Sequence, residues 1–273
     1  NSGTIQGIGG TSSGSGYGYG IYVNGGNVGS IENSGTISGG AYAISVDSIS
    51  TLPNINITGN NTAHFLGDVF AQNTDVAVKS GAVFTNDNAF DVNRFTVEDT
   101  ATFNMGAGTN TSGITDGITV ANGLTNAGTL AIAAGTTATI SGDYAQTSTG
   151  AFRTNVTDDT TYGRLVVTGT ATLPTGARID VNVADPNFAF TATSMAGIIS
   201  AGTLASDGTF AVTDNSALFD FTASQNGNAI DLSLAAPGGG GGSTGVVAAV
   251  TSTGNASGLR AAVVLDDLVD AYA

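Results

Sequence analysis

Five residues occur twice without change, Asn1-Ser-Gly-Thr-Ile5 and Asn33-Ser-Gly-Thr-Ile37. A looser copy follows at Asn126-Ala-Gly-Thr-Leu130. Self-similarity with a period of about 20 to 50 residues marks a solenoid or another array. Each copy is an Asn-x-Gly turn followed by β-branched residues, so the repeating element is a strand. A second repeat runs through Val76-x-Val78, Phe95-x-Val97, Leu130-x-Ile132 and Leu165-x-Val167. A Gly or Thr follows each at one offset (Gly81, Thr100, Gly135, Thr170), and then an apolar residue: Phe84, Phe103, Ala138 and Leu173. These read as strand, sharp turn, strand. One such unit cannot bury its own apolar face, so stability must come from stacked neighbours about 4.8 Å away. At about 20 to 25 residues per unit, residues 1–236 predict about ten layers and a rod of about 50 Å.

Composition narrows the function classes. Apolar residues make up 41% of the chain, enough for a real core, and the 41 glycines keep company with Asn, Ser and Thr, the residues of tight turns. The formal charge of −15 leaves no basic footprint for nucleic acid. There is no cysteine, hence no disulfide and no thiolate metal site. No stretch reaches the roughly 18 to 20 apolar residues of a membrane helix, and no signal peptide is present. The opening at Asn1, inside a repeat, is expected to be an internal start.

The most informative stretch runs from Ser141 to Val183. It begins with Tyr144, Gln146 and Gly150 and passes through a polar gap from Asn155 to Gly163. A strand at Leu165–Val167 follows, a turn at Thr168 and Gly169, a strand from Thr170 to Leu173, a turn at Gly176, and a strand from Arg178 to Val183. With Leu165, Val167, Gly169, Ala171, Leu173 and Gly176 in register, the stretch resembles the C-terminal, autochaperone region of bacterial autotransporter passengers, the pertactin-like part of type V secretion. The resemblance covers about 40 residues closely and implies an all-β, right-handed parallel β-helix with a C-terminal hairpin cap.

That reading divides the chain into β-helix layers over 1–140, an autochaperone-like cap over 141–236, and a linker with a short helix over 237–273. Asp185 and Pro186 end a strand, and Gln225-Asn-Gly-Asn228 turns a final hairpin between Leu218–Phe221 and Ile230–Leu234. Such a hairpin would cover an otherwise exposed sheet edge. Gly238–Gly242 is a flexible linker. Asn255 caps an amphipathic helix over about 256–272, with Ala261, Val264, Leu265, Leu268 and Tyr272 on one face. The resemblance implies that this segment threads the chain's own C-terminal outer-membrane β-barrel, which lies outside this sequence.

Few residues suggest chemistry. The lone histidine, His64, has no nucleophile elbow near it and reads as structural. The pairs Asp158-Asp159, Asp266-Asp267 and Glu98-Asp99 could act as paired carboxylates or calcium ligands. The turn positions matching Glu98 and Asp99 are Lys79 and Ser80 in one unit and Ala133 and Ala134 in another, so no acidic ladder forms and solvated turns are expected. Thr-Ala-Thr at 100–102, 137–139 and 170–172 could form an ice-binding ladder or simply face solvent. Tyr17, Tyr19, Tyr22 and Tyr42 are candidates for binding a glycan or protein partner through their rings. No catalytic, cofactor or metal residue is assigned.

The functional expectation is the membrane-proximal part of a surface-exposed passenger, serving as stalk, adhesive surface and folding nucleus. The nucleus is assigned to Tyr144, Gln146, Gly150, Leu165, Val167, Gly169, Ala171, Leu173 and Gly176. Its partners would be the barrel, a host or cell-surface glycan or protein, or a second copy. The place implied is the bacterial cell surface and outer membrane, or the medium after cleavage. The alternative is a carbohydrate-active β-helix enzyme, or a scaffold for a catalytic domain upstream of residue 1.

Overall fold

The computed structural model describes residues 1–7, 18–86, 88–106 and 117–235. Within them the protein is all β. Side by side, the strands of the larger sheet run Thr4–Gln6, Thr36–Val46, His64–Val78, Phe90–Val97, Gly117–Val120, Thr137–Ser141, Arg164–Thr172, Ser194–Ala205, Ala229–Ala235 and Asp220–Asn226. Shorter strands, among them Tyr19–Val23, Ser30–Asn33, Asn54–Ile57, Leu124–Asn126 and Tyr144–Gln146, pair alongside this path. The smaller sheet runs Val83–Asn86, Thr102–Met105, Thr129–Ile132, Ala151–Val156, Ala177–Val183 and Phe210–Asp214. Pairing is parallel and follows chain order until the end. There Ala229–Ala235 lies antiparallel on Ser194–Ala205, and Asp220–Asn226 lies antiparallel on Ala229–Ala235.

The core is a set of ladders, each inward residue resting on its counterpart in the next strand. In the smaller sheet Phe84, Phe103, Leu130, Phe152 and Ile179 follow one another in register, all at most 1% exposed. On the larger sheet Ile55, Val76, Phe95, Leu124, Tyr144, Ala171 and Leu204 do the same. So do Val69, Phe90, Ile118, Ile140 and Val167. The alternation of buried and exposed positions seen in Ala177–Val183 is what period-two side-chain geometry requires of strands with one face inward. A slip by one residue would turn all three ladders outward, so the apolar pattern fixes the register.

This pairing is compatible with the expected β-helix, and several finer expectations change. The units at Val76 and Phe95 do stack: Val76 lies beside Phe95, Val78 beside Val97, and Phe84 beside Phe103. Thr100 even shares the left-handed turn of Gly81, with φ of 63° and 76°. The unit at Leu130 is out of phase, because Leu130 rests on Phe103 and not on Phe95. Leu165 rests on Ala138, one strand further along. Spacing alone could not show which of two sheets a strand enters. Among the described residues the larger sheet holds eight parallel strands in succession, where about ten layers were expected over 1–236. Parallel partners lie between 19 residues (Val76 and Phe95) and 34 residues (Leu165 and Ile199) apart, so several returns are longer than assumed. The turn expected at Thr168 and Gly169 is instead a register shift inside one strand, Arg164–Thr172. The hairpin turn at 225–228 is present, with Gly227 at φ 59°. The linker and helix over 237–273 lie outside the described residues.

Candidate functional site

Two groups of residues stand out, one buried and one at the surface. The buried one starts from the Tyr-x-Gln pair. Leu124–Asn126 and Tyr144–Gln146 stack in register, Leu124 on Tyr144 and Asn126 on Gln146. The ring of Tyr144 continues an apolar ladder, which carries its hydroxyl to a place with 1% exposure. Asn126 Nδ2 donates to that hydroxyl at 3.2 Å and to the Ala151 carbonyl at 2.9 Å. The hydroxyl donates to Gln146 Oε1 at 3.2 Å. Gln146 Nε2 donates to the carbonyls of Gly150 and Arg178, both at 3.0 Å. Burial pushes the Tyr144 phenol well above its ordinary value, against a smaller opposing effect of the Asn126 bond, so it remains a neutral donor. The result is one polar chain through an apolar core, tying successive layers in a single register.

Of the other residues assigned to a folding nucleus, Gly150 accepts from Gln146 and Ala171 pairs with Tyr144. Leu165, Val167, Ala171 and Leu173 are all buried. A Cβ on Gly150 would lie 2.3 Å from the Asn126 carbonyl oxygen, and one on Gly169 would lie 2.3 Å from Asp143 Oδ1. Gly176 turns the chain at φ 66°. Asn126 was absent from the sequence-based set. The shared pattern apolar-x-amide in Leu124–Asn126 and Tyr144–Gln146 was the available signal.

The surface group is an aromatic strip. Tyr19 stacks on Tyr22 (centroids 4.8 Å apart, planes at 18°) and on Tyr42 (5.8 Å, 11°), and Tyr42 meets Phe70 edge-on at 6.3 Å. Strand pairing sets this up by placing Tyr19 beside Tyr42. Tyr22 is 49% exposed and Phe70 38%. Phe70 was missed in the sequence because it comes from a third strand, His64–Val78. Tyr17 lies outside the described residues. Asp68 stands beside Tyr42 in the ladder and is itself buried. Burial raises its pKa, opposed by the Ala89 N–H that it accepts at 3.1 Å.

The acidic pairs are occupied with backbone. Asp158 accepts the N–H groups of Thr160 and Thr161, both at 2.8 Å, and these bonds, led by the Thr160 amide, hold its carboxyl down at about 2. Asp159 accepts the amides of Thr191 and Ala192 at 3.1 Å. Glu98 pairs with Lys79 and accepts the Ser80 amide at 3.0 Å, so the matching turn positions do meet. Asp266 and Asp267 lie outside the described residues. His64 is exposed at the start of its strand. The Thr-Ala-Thr segments do not stack on one another: Thr102 rests on Thr129, Thr139 on Val166, and Thr172 on Ala145. Among the described residues no group of three or more His, Asp or Glu is placed to hold a metal ion. Comparison with protein-family models, with curated proteins and with solved structures finds no match to this chain.

Proposed function

We propose that the chain is the membrane-proximal part of an autotransporter passenger. In this reading the two sheets are walls of a right-handed parallel β-helix, residues 141–236 are its autochaperone-like cap, and 237–273 leads into a barrel of the same polypeptide. The protein acts at the bacterial surface as a stalk, with the aromatic strip as its adhesive face toward a glycan or protein. One observation carries the reading. The segment with Leu165, Val167, Gly169, Ala171 and Leu173 in the passenger-like register lies beneath Ser194–Ala205, on which the antiparallel hairpin closes the parallel stack. A cap is what an open sheet edge requires in an exported rod, since an uncovered edge pairs with other chains.

Export is the test. The full chain is placed between a secretion signal and an outer-membrane barrel translocator, and added protease probes surface exposure on intact cells. The reading expects surface-exposed protein that leaves a resistant fragment spanning 141–235. Retention of all protein in the periplasm, with the barrel correctly inserted, would overturn it.

A further inference from the structure

Beside the core ladders, the larger sheet carries a short ladder of polar side chains. Asn93 Nδ2 donates to Asp75 Oδ1 at 2.6 Å, and Asn122 Nδ2 donates to Asn93 Oδ1 at 2.6 Å. Each amide gives its donor to the layer before and offers its oxygen to the layer after. The ladder then stops. Leu124 rests on Tyr144, so the place after Asn122, two residues ahead of that pair, belongs to Gly142. Gly142 has φ 141°, and a Cβ there would lie 2.4 Å from the Val120 carbonyl oxygen, so no side chain of this chain can continue the ladder. Asn122 Oδ1 accepts no hydrogen bond among the described residues.

A notch of about 410 Å³ opens where the ladder stops. Asn122 and Asp143 line it, and both are exposed. Asp143 Oδ1 accepts the Thr170 amide at 2.7 Å, while its Oδ2 accepts nothing among the described residues. Thr125, Ala145 and Thr172 stand side by side in register and line the notch too. Ala145 is shorter than the threonines on either side of it, which gives the notch an apolar floor.

The chemistry of this lining selects a ligand. Its donors are already used: Asn122 Nδ2 on Asn93, the Leu124 amide on the Asp143 carbonyl, and the Thr170 amide on Asp143 Oδ1. An amide oxygen, a carboxylate oxygen and threonine hydroxyls remain, and the lining holds no Lys, Arg or His. An anion finds no partner there. Calcium takes about six to eight oxygens, commonly from several carboxylates, and this notch has one carboxylate. An alkylammonium fits better, since it brings three donors, one positive charge and no acceptor. The formal charge of −15 draws cations toward the chain as a whole.

We propose that this notch binds an alkylammonium group, carried by a lysine side chain of a partner or by a free polyamine. One N–H completes the ladder on Asn122 Oδ1, a second meets Asp143 Oδ2, and the alkyl stem lies over Ala145.

The probe is n-butylamine at neutral pH and constant ionic strength, titrated into the full chain and followed by amide chemical shifts in NMR. Saturable shifts are expected at Gly123, Thr125, Ala145 and Thr170, with a dissociation constant on the order of millimolar. Asp143→Asn keeps an acceptor for the Thr170 amide and removes the charge, and should weaken binding about tenfold. Asn122→Ala removes the end of the ladder and no backbone bond, and should weaken it about threefold. Both positions are exposed, so the unfolding midpoint should hold in each variant. Nα-acetyl-lysine amide and spermidine, titrated in the same way, separate the two sources by which binds more tightly at these amides. No saturation up to about 100 mM amine, a range that would reveal even weak binding, would overturn the proposal. So would binding unaltered by both substitutions, equal shifts at Asp91 and Asp99, or saturation by glucose without a response to the amine.

Discussion

Residues 36–105 and residues 141–235 use the same parallel ladders and fill them differently. In the first region the interior is aromatic. Phe65, Phe84, Phe90, Phe95 and Phe103 contact one another ring to ring, with centroids 4.8 to 6.1 Å apart. In the second the stacked strands are filled mostly by aliphatic residues, with Tyr144 and Phe152 among them and a separate ring cluster around Phe190, and they are crossed by the polar chain from Asn126 through Tyr144 and Gln146 to the carbonyls of Gly150 and Arg178. Both regions mix regular and irregular pairings: Thr36–Val46 and His64–Val78 pair with two irregularities and Arg164–Thr172 and Ser194–Ala205 with one, whereas Val83–Asn86 with Thr102–Met105 and Ala151–Val156 with Ala177–Val183 pair without interruption. Phenylalanine packing is strong and apolar, so a displaced ring leaves no polar group unpaired. A buried polar chain is not tolerant, because each misplaced partner leaves a desolvated group unpaired. On the proposed reading, the second region specifies the register and the first extends it.

The largest effect on this contrast comes from charge in the second region. Leu165→Asp with Val167→Asp puts two carboxylates at sites 0% and 1% exposed, at a cost of several kcal/mol. Limited proteolysis should then show residues 1–140 cut as readily as the rest, because those layers lose the template. Removing an aromatic ring comes next. Phe103→Ala should cost about 3–5 kcal/mol in chemical denaturation while leaving protection of 165–183 in place, since its ring contacts are to Phe84 and Phe95.

Tyr144→Phe isolates the polar chain. The ring still fills its ladder, but Gln146 Oε1 loses its donor, and the expected loss is about 1–2 kcal/mol. Thr100→Gly acts in the other region and in the other direction. The left-handed turn at Thr100 burdens a β-branched residue that its counterpart Gly81 spares, so glycine there should raise stability by about 1 kcal/mol. Acid has the smallest effect. Asp207, like Asp158, is held at about 2, chiefly by the Thr175 and Thr209 hydroxyls, so both folded values lie below the unfolded one. Their contribution is complete above the ordinary carboxylate range and is lost as pH falls from about 4 to about 2. Asp158→Asn and Asp207→Asn should flatten the unfolding midpoint in that window, as thermal scans would show.

Much of this was legible in the sequence, and what was not has a physical reason. Alternation found most strands, because inward residues such as Ile179, Val181 and Val183 must recur every second position. The Gln225–Asn228 turn was found because Gly227 meets a backbone demand that few residues meet. The phase of the Leu130 unit was not legible, since strands entering either sheet share one apolar-x-apolar pattern. The polar chain was half visible: Tyr144 and Gln146 stood out, while Asn126 was read only as a turn residue because its partners come from the next layer. Phe70 joined the aromatic strip for the same reason, through contacts between strands distant in sequence.

The central claim is that residues 141–235 hold the register on which the layers before them depend. Hydrogen exchange on the intact chain measures this residue by residue. The account predicts the slowest exchange in Arg164–Thr172 and Ala177–Val183, intermediate rates in Phe90–Val97 and Thr102–Met105, and the fastest in Thr4–Gln6 and Tyr19–Val23. Slowest exchange at Thr4–Gln6 and Tyr19–Val23, or equal rates along the whole stack, would contradict it.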